Sequence, residues 1–331
     1  FTLVNSKPSE LEDFAPKLNT GDQGRVAGEY TWNEGPREIQ AHDTATGKRL
    51  WKIEGTIVPL TMAVNDQRLV YSNGKEIVSL DRATGQQQWT SEPTARRKAL
   101  PFHFAPRLVM HGDVVLHAGG DGRMQSFSQA EGKLLWESEH APSGYQSPQD
   151  LICTGGLVWV APTTSGRDSG IFTGRDPKTG DVKSKFAPDI DTYWFHHRCY
   201  IAKATDRFLI PSRTGIELVD FKAEHWDINH WVRGGCLYGV MPCNGLLYAP
   251  PHDCACYPEA KLYGLNALAP PLKSARLPRE IPETDRLEKG PAYDAIQERD
   301  ASDDEWPTYR HDNARSGSSR QELVKDLSMA W

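Results

Sequence analysis

The side chains that could do chemistry are concentrated between residues 193 and 259. Five of the six cysteines and five of the eleven histidines fall there, among aromatic and arginine residues. An imidazole beside a carboxylate can transfer protons near neutral pH. A cluster of histidine, arginine, aspartate and aromatic side chains at the mouth of a fold is typical of a ligand site. A single histidine is more often structural, so the clustering is what indicates a site. The candidates for catalysis or ligand binding are His196, His197, Arg198, His230, Arg233, His252 and Asp253.

A metal centre is a second interpretation of the same region, because thiolates and imidazoles are suitable ligands for Zn or Cu. The candidate ligands are His196, Cys199, Cys236, Cys243, His252, Cys254 and Cys256. The chain contains no Cys-x-x-Cys pair, so the spacing matches no zinc ribbon, and without Cys-x-x-Cys-His a covalently bound haem has no support.

Disulfides are the third interpretation, since six cysteines is an even number. Cys254 and Cys256 are too close in sequence to bond each other easily, so each would need a distant partner. Six cysteines allow about fifteen connectivities, and the sequence does not choose among them. The catalytic, metal and disulfide interpretations therefore all stay open.

An internal repeat predicts the elements that position these residues. Its unit is a turn, Asp-x-x-Thr-Gly or a variant of it, followed by a Trp four residues after the Gly; copies begin at positions 43, 81 and 128. A copy at 176 keeps the turn and loses the Trp, and one at 220 is degraded. Periods of roughly 40 to 50 residues suit a propeller blade of four strands. The repeated glycines are Gly47, Gly85, Gly132 and Gly180, and the tryptophans are Trp51, Trp89 and Trp136.

The segments between these turns look like strands. Runs such as 68–71, 113–117 and 157–160 are rich in β-branched and aromatic residues and lead into glycine turns. No stretch before about residue 285 has helical periodicity. The sequence therefore predicts an all-β fold, a β-propeller of four-stranded blades. We expect the glycines to adopt positive φ, and each Trp to pack between neighbouring blades, burying on the order of 150–250 Å².

About six units of this kind can be counted. They lie near 26–51, 60–89, 105–136, 150–184, 195–226 and 236–270. The predicted organisation is an N-terminal lead-in, the propeller blades, a Pro-rich and charged linker, and a segment that introduces a further blade together with its strand. These parts span 1–25, 26–270, 271–305 and 306–331.

The repeat resembles the pyrroloquinoline-quinone-type (PQQ-like) propeller repeat of quinoprotein dehydrogenases and of the BAM-complex propeller lipoprotein, BamB. The segment 306–317 is similar to one that precedes a blade in large multidomain proteins of planctomycete type. Rings of this repeat type usually have seven or eight blades. The resemblance thus implies that the remaining blades of the ring were cut off or are supplied by another chain.

The resemblance also implies a function. Such propellers are mostly extracytoplasmic, in the periplasm or cell envelope, where disulfides persist. We expect a binding or scaffolding module that takes a protein, small-molecule or carbohydrate ligand at the propeller mouth. Quinoprotein dehydrogenases hold PQQ with Ca²⁺, but no adjacent cysteine pair and no motif for the calcium ligands occurs here, so no bound quinone is predicted. The alternatives are a quinoprotein-type oxidoreductase, a carbohydrate-active propeller enzyme, or a Cys/His metalloprotein, each with its site in 193–259.

Composition excludes some partners. The chain has 331 residues, 25% of them charged, and a formal net charge of −6, so nothing favours a nucleic-acid or anionic-membrane partner. No run of about 18 apolar residues occurs, so no transmembrane segment is predicted. No signal peptide is visible in the sequence.

Overall fold

Short runs of β-branched and aromatic residues, separated by turns, fold into six antiparallel sheets that follow one another along the chain. The chain divides into two compact units, Phe1–Pro270 and Pro271–Trp331, and all six sheets belong to the first. The second unit contains a 3-10 turn at Tyr293–Ala295. The structure is a computed structural model, and it describes residues 1–7, 34–94, 106–140, 150–162, 168–191, 200–211, 213, 215–236, 238–252, 259–260, 262–270, 289–295, 302, 305, 316 and 318.

The strands follow chain order within every sheet. The first sheet contains β1 (Thr2–Asn5), β2 (Pro36–His42) and β3 (Arg49–Thr56). The next four sheets have four strands each. The second contains β4 (Ala63–Val64), β5 (Arg68–Ser72), β6 (Ile77–Asp81) and β7 (Gln87–Thr90), and the third contains β8 (Arg107–His111), β9 (Val114–Ala118), β10 (Arg123–Ser128) and β11 (Leu134–Glu139). The fourth contains β12 (Ile152–Thr154), β13 (Leu157–Val160), β14 (Phe172–Arg175) and β15 (Val182–Phe186), and the fifth contains β16 (Lys203–Ala204), β17 (Phe208–Ile210), β18 (Ile216–Asp220) and β19 (His225–Asn229). The sixth sheet contains β20 (Met241–Cys243), β21 (Leu246–Ala249) and β22 (Asn266–Leu268).

Successive sheets are arranged as propeller blades. The first strands of neighbouring sheets lie side by side, with β4 beside β8, β12 beside β16 and β16 beside β20. Short inner strands that meet in this way are expected around a common axis. The predicted all-β propeller of four-stranded blades is therefore confirmed. The sequence did not predict β1, which lies in the segment that it assigned to a lead-in.

The core lies between the sheets. Five apolar clusters each join two consecutive sheets, and in one of them Val114 and Leu116 of the third sheet pack against Val158 of the fourth. The second strands are buried on both faces, which is why β5 and β9 are nearly continuous apolar runs instead of alternating polar and apolar residues.

The Asp-x-x-Thr-Gly turns are closed by local hydrogen bonds. Asp81 Oδ1 accepts from the backbone N–H groups of Ala83 and Thr84, at 3.0 and 2.9 Å, and from the Thr84 hydroxyl at 2.9 Å. The hydrogen bond from the Thr84 hydroxyl, followed by that from its N–H, holds the pKa of Asp81 below its usual range. Gly85 ends the turn at a φ of 75°, where only glycine is free of strain.

Each repeated Trp joins its own sheet to the next one. The Trp51 Nε1 donates a hydrogen bond of 3.1 Å to the Arg82 carbonyl oxygen, and a Cβ added at Gly85 would lie 2.7 Å from the Trp51 ring. The indole therefore lies flat on the glycine of the following turn. Trp89 repeats this contact on the turn of Gly132, and Trp136 repeats it on the turn of Gly180. We call this contact the Trp–Gly clamp.

The contact between the fourth and fifth sheets is different. Ser184 occupies the Trp position, and Glu224 occupies the Gly position with a φ of 55°. A residue with a side chain is possible there because no indole covers the turn. Instead, the Asp189 carboxylate accepts from His225 Nδ1 at 2.6 Å and from the Trp226 N–H at 2.9 Å. This hydrogen bond and the charge of Asp189 raise the pKa of His225.

One core position carries an imidazole. His117 on β9 is 1% exposed, and neither of its ring nitrogens has a hydrogen-bond partner. Burial lowers its pKa to about 4, because the charged form has lost its hydration without gaining a partner. His117 is therefore neutral in the folded protein over most of the pH range.

We expect the glycine of a clamped turn to tolerate a side chain much less well than the glycine of an open turn. Gly132→Ala should reduce the free energy of unfolding by about 3 kcal/mol, because the new Cβ would displace Trp89 as well as strain the turn. The matched control is Gly47→Ala, where φ is also positive but nothing in the described part of the chain lies within 4 Å, and its cost should be about 1 kcal/mol. Urea denaturation of both variants checks this. Equal losses would contradict the clamp.

We expect His117 to make the protein sensitive to acid. The unfolded chain binds a proton near pH 6.5 and the folded chain only near pH 4, so stability should fall as the pH falls through this window, by about 3 kcal/mol. His117→Leu should flatten the pH dependence of urea unfolding between pH 6.5 and 4. His111→Leu, on β8 and only partly buried, is the control and should keep the wild-type slope. An unchanged slope in His117→Leu would refute the account.

Candidate functional site

The blades have two edges with different connections. Because antiparallel strands alternate in direction, the tight turns between first and second strands share one edge with the Asp-x-x-Thr-Gly turns, and we call it the turn edge. The connections between second and third strands, and those leading to the next sheet, lie at the other edge, which we call the loop edge. Within the described residues of the fifth and sixth sheets, the loop edge comprises 211, 213, 215, 230–236, 238–240, 250–252, 259–260 and 262–265.

The loop edge brings several of the predicted site residues together in one part of the fold. His230, Arg233 and Cys236 lie in the connection from β19 to β20, and His252 lies in the connection from β21 to β22. Cys243 ends β20 and belongs to the turn edge. The other candidates lie outside the described residues, and they are His196, His197, Arg198, Cys199, Asp253, Cys254 and Cys256.

Arg233 belongs to a buried polar network under this edge. Its side chain is 1% exposed, its guanidinium lies 5.7 Å from the centre of the Tyr200 ring, and its Nε donates to the Gly234 carbonyl oxygen at 3.4 Å. The Tyr200 hydroxyl donates to the Gly215 carbonyl at 2.9 Å and accepts from the Gly234 N–H at 3.4 Å. Tyr200 thus ties two connections of the loop edge to each other.

Glu217 holds the third connection in place. Its carboxylate is 1% exposed and accepts from the backbone N–H of Arg213 at 2.8 Å and from that of Gly215 at 3.1 Å. A buried carboxylate requires such donors, because it has lost its water. The Arg213 side chain is also buried, with its guanidinium 5.7 Å from the centre of the Trp226 ring. The network therefore fixes the backbone of the loop edge.

The same part of the fold also exposes large apolar side chains. We call the following exposed residues the aromatic patch: Trp231, Tyr238, Met241, Leu262, Tyr263 and Leu265. Tyr238 is 84% and Leu265 72% exposed. The two connections that carry the patch are joined, since the Leu262 N–H donates to the Trp231 carbonyl oxygen at 3.4 Å. The His252 ring lies 5.0 Å from the Tyr263 ring, so this predicted site residue supports the patch.

Few of the described residues could bind a metal ion or act as a reactive thiol. No group of three or more His, Cys, Asp or Glu side chains within the described ranges could hold a metal ion. Cys153 and Cys243 are free thiols, and burial raises the pKa of Cys153 to about 12. Cys153 is therefore neither a nucleophile nor a metal ligand at neutral pH. The predicted metal set, which includes residues outside the described ranges, stays a prediction.

Sequence reasoning missed three members of the network. Tyr200, Arg213 and Glu217 were not among the candidate residues, although Glu217 carries a recognisable signal. It is a carboxylate in the middle of the apolar run 216–219, and such a residue must find donors when the strand is buried on both faces.

The comparison with known proteins finds a family match in the first four sheets. Residues 36–185 match the family model described as outer membrane protein assembly factor BamB. A segment of 112 residues, 34% of this chain, is 30% identical to the serine/threonine-protein kinase AfsK of Streptomyces coelicolor. The match spans 13% of that kinase. The fifth and sixth sheets, which carry the loop edge described above, lie beyond the family match.

Solved propellers are similar at low identity. BamB from Moraxella catarrhalis is 18% identical, with a TM-score of 0.47 over 66% of this chain and 65% of that one. The Pan2 WD40 domain of Neurospora crassa is 12% identical, with a TM-score of 0.40 over 66% and 69% of the two chains. Within the described residues, no helix has the length and apolar character needed to span a membrane. The four-stranded sheets show a β-propeller, and the family match identifies PQQ-like repeats in its residues 36–185.

Proposed function

We propose that this chain is a binding or scaffolding module that holds a protein partner against its aromatic patch. The observation that carries the proposal is the exposure of Trp231, Tyr238 and Tyr263 on adjoining connections of one blade edge. Tyr, Trp and Met are the residues enriched in the cores of protein interfaces, and clustered exposed apolar side chains commonly mark such sites.

The buried network in the same part of the fold supports this role. Arg233 and Tyr200 hold the connection that carries Trp231 and Tyr238, and Glu217 holds its neighbour. A surface whose backbone is fixed before binding loses less conformational entropy when a partner arrives. The patch is therefore suited to a partner that is bound without rearrangement of the blade.

We also propose that the protein lies outside the cytoplasm, in the periplasm or cell envelope. Support comes from the family match, whose description refers to outer membrane assembly. Disulfides persist in that compartment. Cys199, Cys254 and Cys256 lie outside the described residues, and we propose that the pairing involves them.

Removal of two patch side chains should release the partner without unfolding the blade. Trp231→Ala/Tyr238→Ala should lower the amount of co-purified partner at least about tenfold, because a central interface aromatic contributes about 2 kcal/mol or more. The measurement is quantitative mass spectrometry of proteins retained by the tagged chain from its own cells. The matched control is Leu50→Ala/Leu135→Ala, which removes two exposed apolar residues on β3 and β11. Equal retention by both variants would refute the proposal.

Stepwise alkylation should reveal three classes of cysteine. The exposed Cys243 should react in the native protein and Cys153 only after unfolding, because the Cys153 thiol is half-buried and its pKa is raised. Those of Cys199, Cys254 and Cys256 that are paired should react only after reduction. Peptide mapping by mass spectrometry assigns each site, and elemental analysis of the same sample measures bound Zn and Cu. Reaction of all six without reduction would contradict the extracytoplasmic disulfides, and stoichiometric metal would favour the metal interpretation.

A further inference from the structure

Two buried hydrogen-bond donors lie between the fourth and fifth sheets without an acceptor. The indole of Trp226, on β19, is 1% exposed, and its Nε1–H makes no hydrogen bond. Ser169, in the connection from β13 to β14, is 9% exposed, and its hydroxyl makes none either. Most buried polar groups in proteins have a partner, so two exceptions in one interface point to a ligand.

Trp226 differs in this respect from other tryptophans of the fold. Four others in the described part of the chain donate Nε1–H to a backbone carbonyl oxygen, at 2.9–3.1 Å; they are Trp51, Trp89, Trp136 and Trp159. Trp159 packs in the same apolar cluster as Trp226, and its acceptor is the Thr154 carbonyl oxygen at 3.0 Å. Because this neighbour has an acceptor within the protein, burial in the cluster does not by itself explain the unused donor of Trp226.

A buried guanidinium lies beside the two donors. A Cβ added at Gly170, directly after Ser169, would lie 3.1 Å from Arg213 Nη1 and 3.2 Å from Trp226 Cη2. The Arg213 guanidinium is 5.7 Å from the centre of the Trp226 ring, and Arg213 is 3% exposed. Side chains from both sheets therefore converge on Gly170. We call Ser169, Arg213 and Trp226 the donor cluster.

The chemistry of the donor cluster specifies what it would bind. An indole N–H and a guanidinium can only donate hydrogen bonds, and the guanidinium is always positively charged. Carboxylate, phosphate and sulfate oxygens are the acceptors that match such a set. The Phe172 ring lies 5.9 Å from the Trp226 ring, and Pro188 Cγ lies 3.0 Å from the Cβ position of Gly170. The surroundings are thus close and partly apolar, which restricts the ligand to a small one.

The backbone at the donor cluster is held in place by two carboxylates. Glu217 accepts from the backbone N–H of Arg213 at 2.8 Å, and Asp189 accepts from the backbone N–H of Trp226 at 2.9 Å. Both donors are therefore positioned before a ligand arrives, which reduces the entropy lost on binding.

We propose that the donor cluster binds one small oxyanion, a carboxylate, phosphate or sulfate, between the fourth and fifth sheets. The anion accepts hydrogen bonds from the Ser169 hydroxyl and the Trp226 Nε1–H, and the charge of Arg213 attracts it. These two sheets lack the Trp–Gly clamp, so the bound anion stabilises their contact. This inference is independent of the aromatic patch and of its partner.

Urea unfolding of the whole chain with added anions tests the proposal. Sodium acetate, phosphate and sulfate are the probes, each titrated at constant ionic strength against chloride, and circular dichroism gives the unfolding midpoint. At least one probe should raise the midpoint with saturation, and the dependence on its concentration gives the affinity. The most effective probe distinguishes a carboxylate from a phosphate or a sulfate. Saturation is required because exclusion of a salt from the protein surface raises stability without a limit of this kind.

Matched variants connect this effect to the donor cluster. Ser169→Ala and Trp226→Phe should each lower the affinity about tenfold, because each loses one hydrogen bond to a charged ligand. The controls are Ser91→Ala and Trp159→Phe, whose buried donors already have carbonyl acceptors, and they should keep the wild-type affinity. A midpoint that no probe raises with saturation would overturn the proposal, since water would then suffice for the donors. Wild-type affinity in Ser169→Ala and Trp226→Phe, or equal losses in the controls, would also overturn it.

Discussion

The structure depends on one repeated interaction, the indole of one blade lying on the turn glycine of the next. The indole contributes apolar area, and its single N–H donor fixes the distance and register between the two sheets. The glycine is required twice, because the turn needs a positive φ and because any Cβ would occupy the volume of the indole. This double requirement explains why Trp and Gly recur together along the sequence.

The interaction stops after the fourth sheet, and the character of the fold changes there. Glu224 replaces the glycine once Ser184 replaces the Trp, and an aromatic cluster that includes Trp159 and Phe221, whose ring centres lie 5.5 Å apart, joins the fourth and fifth sheets. In the fifth and sixth sheets, buried Arg233 and Glu217 hold the backbone of the loop edge in place. The family match ends at residue 185, at the same place. The blades that carry the candidate site are thus the ones that depart from the repeat.

The fold was more predictable than the site for a physical reason. The Trp–Gly pairs indicate a local turn geometry and a period, and both can be recognised in the sequence. They therefore predicted the correct fold class, a β-propeller. The network of Tyr200, Arg213 and Glu217 depends on which connections meet at one edge, and no local pattern contains that information. The aromatic patch was missed because Trp231 and Tyr238 look like core residues until their exposure is known.

Amide hydrogen exchange across the six sheets, followed by mass spectrometry at increasing sub-denaturing urea, tests the clamp most directly. Because Trp–Gly clamps join the first four sheets, their second strands, such as β5, β9 and β13, should open together with one free energy and one urea dependence. The fifth and sixth sheets lack the clamp and should open separately, at a lower free energy. Independent opening of the first four sheets, or a single transition of all six, would contradict the account.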